Sequence, residues 1–420
     1  MKRILANSSF LLGSQIITKI TSFFYALFLA KNLSVEEFGL YTVALSYFSL
    51  VSAVAEVGIN RYLSREVALH DNSKPRLAQL LCTVTLFRLT VVSVLFAVFA
   101  VVINIIDPSH ARSFLTILAV SSILPQAIAS TLDSAFIGMQ KFFWSSLGVL
   151  VLNAATTLTG VVLINQGYGV LGATSAIVLG QIVYVSILFL FPLAPGIRFV
   201  KANLKAKSAF SIVVIKDILL GSLPYGILGV LGLIYFKIDT IMLSYMRGSY
   251  EVGIYGAAYK FLEAIVFIPA SVSTVLFPIL VKLHLTDVGE IKRIYYKSIG
   301  SLFIVSLAIM FGFITILPLI IKLFLPKYQE SILIIQILSL SIPFMFVHVP
   351  GSLVLLASDK YLKPVIGLSL VTVSFNIFAN LVFIPIYGYL AASVITVLSE
   401  MLSFVVFYQL LRTRVFKAHG

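Results

Sequence analysis

Charged residues are scarce in this chain. They make up 11% of its 420 residues, while 60% are apolar, against about 25% and about 45–50% in soluble domains. An ordinary soluble fold is excluded. One cysteine, Cys82, leaves no intrachain disulfide framework. The five histidines are scattered at no metal-ligand spacing. There is no G-x-x-x-x-G-K-[ST] loop, so ATP is not hydrolysed by that route. The G-x-G-x-x-G pattern occurs once, as "GYGVLG" from Gly167 to Gly172, with no strand before it, and reads as a tight hairpin between helices. No cofactor is expected.

Long apolar runs take the place of these features. About twelve stretches, from Ser8–Ala30 to Tyr389–Leu411, are long enough to cross a bilayer. Such a span needs about 20 apolar residues, because each backbone amide in hydrocarbon must bond within its own helix. The fold class is therefore an all-α integral membrane protein, and no room remains for a soluble domain. The opening "MKR" and the apolar run after it also fit a signal peptide; the run's length and its place in the repeat below favour a span.

The net charge of +14 is explained by its distribution. With the N-terminus inside, 21 of the thirty Lys and Arg fall in inside segments, five in outside loops and four within spans. Positive residues favour the cytoplasmic side, so both termini are expected there, in a cytoplasmic (inner) membrane protein. A nucleic-acid partner is not expected.

The chain repeats itself. "YGVLGATSAIVLGQ", Tyr168 to Gln181, returns as "YGYLAASVITVLSE", Tyr387 to Glu400, at an offset of 219; "VEEFGLY", from Val35, returns in "YEVGIYGAA", from Tyr250, at an offset of 214. Six helices per copy make a parallel repeat, the kind in which a transporter holds its substrate between two halves. The expected division is an N-lobe at 1–195, a basic linker at 196–210 that could lie on anionic lipid, and a C-lobe at 211–420. In the motif, Gly is expected to ease the backbone where a loop becomes a helix, and Tyr41 and Tyr255 to sit at the membrane interface.

"LGSQIITKITSFFYALFLAKNLSVEEFGLYTVALSY" and "IYFKIDTIMLSYMRGSYEVGIYGAAYKFLEAI" resemble the start of each half of the polysaccharide (oligosaccharide) flippases, the O-antigen repeat-unit translocases of the multidrug/oligosaccharidyl-lipid/polysaccharide exporter superfamily. The resemblance covers essentially the whole chain. It implies two pseudo-symmetric six-helix lobes around a central cavity, and the flipping of a polyprenyl-diphosphate-linked glycan through it. The related lipid II flippases usually carry two more helices, which this chain lacks.

Ionisable residues deep in a membrane are expensive and tend to face a bundle interior or water. Lys19 lies mid-way along the first span, on a polar face with Gln15, Thr18, Ser22 and Tyr25; a full charge argues for a cavity over a packing face. Lys260 is a second cavity candidate, although Glu263, three residues on, could neutralise it. Arg88 and Lys237 join the cationic set, and lie near enough to the membrane edges to snorkel to water. Asp239 in "KIDT" matches a position where the resembled family commonly has Asp, a partner for a cation across the lobe interface. Glu400, whose repeat partner is Gln181, could be a proton or sodium coupling site or half of an ion pair. Glu56 and Asp133 fall near helix ends, where solvent or a loop Arg would satisfy them. His348 reads as a hydrogen-bonded packing residue. Away from the helix ends deep cations outnumber deep acids, which suits a diphosphate, since an ammonium can replace part of its hydration.

Gly226, Gly229 and Pro224 in the seventh span are candidate hinges, since proline removes a helix bond and glycine eases bending. Two rival functions remain open. A cation-coupled multidrug antiporter of the same superfamily would want a cavity carboxylate where the first span offers Lys19. A membrane enzyme, a glycosyltransferase or polymerase, would want a catalytic cluster that the short outside loops do not supply.

Overall fold

The computed structural model describes residues 2–70, 74–190 and 212–416, and among them every regular element is helical. In the first half these are α1 (Lys2–Asn32), α2 (Val35–Glu56), α3 (Ile59–His70), α4 (Lys74–Ile106), α5 (His110–Ser121), α6 (Ile123–Gly138), α7 (Phe142–Asn165) and α8 (Gly169–Leu190). In the second they are α9 (Ile212–Met246), α10 (Ser249–Ile265), α11 (Phe267–Thr286), α12 (Val288–Phe324), α13 (Ser331–Ser339), α14 (Ile342–Leu356), α15 (Leu362–Tyr387) and α16 (Tyr389–Leu411). Most are apolar all round, as helices in lipid are, so that backbone bonding and burial in hydrocarbon rather than an amphipathic stripe determine them. α3 is the exception: Ile59, Leu63 and Val67 pack into a core with Leu77, Leu81 and Val84 of α4, while Arg61 and Arg65 stay exposed.

Among the described residues, ten helical stretches are long and apolar enough to cross a membrane, or eleven when α13 and α14, which meet at 42°, count as one bent span. α1, 31 residues long and carrying the polar face, is not among these spans, and a twelve-helix layout is consistent with the count. The basic linker, 196–210, lies outside the described residues.

The two halves use the same local devices at the same offset. Ser122 breaks the helix between α5 and α6 and turns its hydroxyl back onto the Ala119 carbonyl; Ser341, 219 residues on, does the same to Leu338 at 2.6 Å between α13 and α14. Gly169 and Gly388 share that offset and a positive φ, +49° and +58°, each at the turn into the last helix of its half. L side chains avoid that region, which explains why both copies keep glycine.

The chain divides into two compact units, the first of Met1–Leu33 with Val43–Leu233 and the second of Ser34–Thr42 with Ile234–Gly420. Thus α9 contributes to both, and the start of α2 belongs to the second. In the first unit, α1 and α8 pack on α7, and the buried pair Asp107–Arg112, at 2.6 and 2.7 Å, staples the turn from α4 into α5.

In the second unit the start of α2 crosses α10, and the two copies of the repeated motif touch. A Cβ on Gly39 would overlap the Ser249 carbonyl oxygen, and one on Gly253 would overlap that of Val35. These glycines permit backbone-to-backbone contact, the close approach that small residues give membrane helices. The motif tyrosines correct the expectation of an interface role: Tyr255 is fully buried and Tyr41 is 5% exposed. Glu37 and Ser34 start α2 with reciprocal bonds: the Glu37 carboxylate accepts from the Ser34 N–H and hydroxyl, each at 2.9 Å, and the Ser34 oxygen accepts from the Glu37 N–H at 3.2 Å.

Candidate functional site

Each unit carries charged or polar groups of the kind expected at a transport site. In the second unit, helical spacing places Lys260 and Glu263 one turn apart on α10, and α9 brings Lys237 to the same carboxylate. One Glu263 oxygen accepts from Lys237, and the other accepts from Lys260 at 2.8 Å. Two ammonium groups therefore share one carboxylate. Lys237 does not snorkel to a membrane edge; it is 15% exposed and ion-paired, because Glu263 lies within reach of its extended stem. Asp239 also lies within electrostatic reach of Lys237, so the acids and bases of this cluster are arranged to answer one another, as charges deep in a membrane are expected to be.

Asp239, two residues beyond Lys237, makes no ion pair among the described residues. Its carboxylate accepts from the buried Tyr255 hydroxyl and, at 2.7 Å, from the Thr240 N–H. Tyr255 stacks at 5.4 Å on Tyr259, one turn along α10, and its hydroxyl lies 3.4 Å from Thr396 on α16. Glu400, also on α16, is 5% exposed beside the Tyr235 hydroxyl. A seam that sequence reasoning missed joins α15 to α16: Asn376 donates to Ser399 at 3.2 Å and Asn380 donates to Asn376 at 3.1 Å. Two Asn four apart in an apolar span were the available signal. His348 packs its ring on Phe407 at 4.6 Å.

In the first unit the polar face of α1 divides. Ser22 accepts from Asn153 of α7 at 2.7 Å, the buried Tyr25 ring lies against Gly160 of α7, and the Thr18 hydroxyl is buried without a partner. Ser22 and Tyr25 thus meet α7, although Ser22 itself stays exposed. Gln15 and Lys19 are exposed.

Arg88 departs from expectation more strongly. It is 1% exposed, donates to Asn60 at 2.8 Å and Thr131 at 3.2 Å, and stands 3.9 Å from Glu56. It therefore does not snorkel; α4 places it at the interior of the unit, where α2, α3 and α6 supply its partners. Glu56 pairs with this helix Arg rather than with a loop Arg. Together with Ser52, Gln126 and Ser130 they line a small pocket. The Asp133 carboxylate is close to Ser145 and Tyr184. Of the hinge candidates, residues 224, 226 and 229 all fall within the continuous helix α9; Gly226 packs against Val57, and Gly229 has open space where a Cβ would stand.

Comparisons with known proteins bear on the family and the fold. The profile of a family described as polysaccharide biosynthesis proteins matches residues 4–284. A Shigella flexneri protein described as an O-antigen transporter is 22% identical over 297 residues, 67% of each chain. Among solved structures, an inward-facing multidrug-resistance MATE transporter of the MOP superfamily superposes with a TM-score of 0.77 at 15% identity, over 96% of this chain and 95% of that one. The lipid II flippase MurJ, in an inward closed conformation, gives 0.75 at 19% identity, over 96% and 87%. These neighbours are transporters and flippases, not enzymes, and they share the fold. The chain belongs to the polysaccharide biosynthesis protein family and is a multi-pass membrane protein that shares its fold with these MATE and MurJ structures.

Proposed function

We propose that the protein flips a polyprenyl-diphosphate-linked oligosaccharide across the cytoplasmic membrane by alternating access, for surface polysaccharide or glycan assembly. The glycan would travel in a hydrophilic cavity while the lipid tail stays in the bilayer. The observation that carries this reading is the presence of deep ammonium groups: Lys237 and Lys260 meet at one carboxylate, and Lys19 is exposed on α1 with no ion partner among the described residues. A diphosphate brought into a low-dielectric site needs that charge. The O-antigen transporter and lipid II flippase among the similar proteins support the same substrate class.

The cation-coupled multidrug antiporter is the second reading. Its supports are the likeness to the MATE transporter and two acids buried in the second unit, Asp239 and Glu400. In the flippase reading these acids are candidates for H⁺ or Na⁺ coupling, Pro224, Gly226 and Gly229 for bending of α9, and 1–195 and 211–420 for the moving lobes.

Native mass spectrometry of the protein extracted with its lipids tests the substrate class. A bound polyprenyl-diphosphate glycan is expected; a membrane showing only bulk phospholipid on the protein would count against the reading. Topology has its own test. Single cysteines in a Cys82→Ser background are expected to react with an impermeant thiol reagent from outside at Asn32, Gln166 and Lys327, and only after permeabilisation at Arg65, Lys205 and Lys292. Outside labelling at 205 would refute the two-lobe arrangement.

A further inference from the structure

Two candidate spans of the second unit, α12 and α16, meet where the first begins and the second ends, and they meet through rings. The Phe416 ring lies 5.4 Å from Tyr295 and stacks on Tyr296 at 6.1 Å. Phe416 closes a π-helical turn, Arg412–Phe416, that follows α16. Such turns are rare, and those that occur are often at functional sites. A further contact fixes this one: the Tyr361 hydroxyl, just before α15, donates to the Arg414 carbonyl at 3.1 Å.

The cations follow the rings. Lys292 precedes Tyr296 by one turn of α12, and Arg412 follows Tyr408 by one turn after it. Tyr296 and Tyr408 bring their hydroxyls together, with Arg412 within electrostatic reach of Tyr296. Lys292, Lys297 and Arg412 are exposed and have no ion pair among the described residues. At the start of α12 the acids are engaged: Asp287 accepts from the Glu290 N–H at 3.1 Å, and Glu290 faces Arg293 at 3.5 Å. Deeper along the Lys292–Tyr296 face, helical spacing continues through Gly300, where a Cβ would meet nothing within 4 Å, to the exposed Phe303 and Leu307. The general preference of Lys and Arg for one side of a membrane explains basic residues at a span end. It does not explain a cation, a tyrosine pair and an open apolar strip in that order.

We propose that this surface binds an anionic phospholipid of the surrounding leaflet. The Arg412 guanidinium takes the phosphate through paired N–H donors, Lys292 adds a point charge, and the tyrosine hydroxyls complete the headgroup site. An acyl chain lies along Gly300, Phe303 and Leu307. The amphiphilic order selects a lipid over a free anion, and a headgroup held there ties α16 to α12 whatever cargo the protein carries.

Native mass spectrometry tests this on the purified full-length protein offered equal amounts of dioleoylphosphatidylglycerol and dioleoylphosphatidylcholine. Wild type is expected to retain phosphatidylglycerol in preference. Lys292→Gln and Arg412→Gln should each cut the preference about fivefold, the effect of one basic residue near an anionic surface. Arg412→Lys keeps the charge and loses the paired donors, so the preference should fall here too. Lys322→Gln, near the other end of α12, is the control and should change nothing. All four side chains are exposed, and melting temperatures in detergent should stay near wild type. If a change at Arg412 disturbs the π-helical turn, Lys292→Gln carries the test from outside it. Inorganic phosphate is expected not to displace the lipid. Equal retention of the two lipids by wild type overturns the proposal, and so does displacement by inorganic phosphate. A loss in Lys322→Gln as large as in Lys292→Gln, or an Arg412→Lys variant equal to wild type, would reduce the site to diffuse attraction and overturn it as well.

Discussion

Lys19→Glu is expected to abolish glycan export in cells lacking their own flippase while leaving the protein folded. The side chain is exposed and has no ion partner among the described residues, so replacing it disturbs little packing; exposed substitutions usually stay within about 0.5 kcal/mol. Its detergent melting temperature should therefore match wild type to within about 2 °C. Function is a different matter. Loss of attraction and new repulsion act together on a diphosphate, and about 3 kcal/mol between them, a typical mid-membrane charge cost, is roughly a hundredfold loss in rate. Lys19→Gln forfeits only the attraction and should sit between, and Lys19→Arg should keep part of the activity, with its charge retained but spread over a planar fork. Normal export by Lys19→Glu would end the cationic reading and put the antiporter ahead.

Legibility from sequence followed the range of the interactions. Spans were readable because hydrocarbon leaves a backbone one solution, and each span is contiguous. The repeat was readable because both copies keep the residues that backbone geometry demands, as at Gly169 and Gly388. The Lys260–Glu263 pair was visible as a helical neighbour. Its third member was not, because Lys237 is 26 residues from Glu263 on another helix. The Arg88 cluster failed for the same reason: Asn60, Thr131 and Glu56 come from three other helices. Lys19 lay on a face whose periodicity was correct but whose members divide between packing and exposure; period alone does not tell a polar packing seam from a wet surface. Tyr41 and Tyr255 were misread because an aromatic near a helix start usually marks the interface, whereas here both are buried, Tyr255 with its hydroxyl on Asp239 of α9.

That crossing carries the largest expected effect on stability. Gly39→Ala and Gly253→Ala should each destabilise the protein by about 3 kcal/mol, the upper end of ordinary overpacking. The obstacles are backbone: beyond the carbonyl oxygens, a Cβ on Gly39 would lie 2.8 Å from the Ser249 carbonyl carbon and 2.9 Å from the Gly253 nitrogen, and one on Gly253 would lie 2.9 Å from the Val35 carbonyl carbon. No rotamer change relieves such contacts, so the helices must separate. Separation made for one alanine leaves room for the other, and the double variant should cost less than the two singles together, by about 1 kcal/mol or more, as expected of residues in contact. Gly312→Ala is the control. Nothing lies within 4 Å of a Cβ there, and it should be neutral or slightly stabilising through helix propensity alone. Melting temperatures in detergent decide the matter. If Gly39→Ala melts with wild type, the two copies of the motif do not meet at their glycines, and the reason for keeping glycine in both must lie elsewhere.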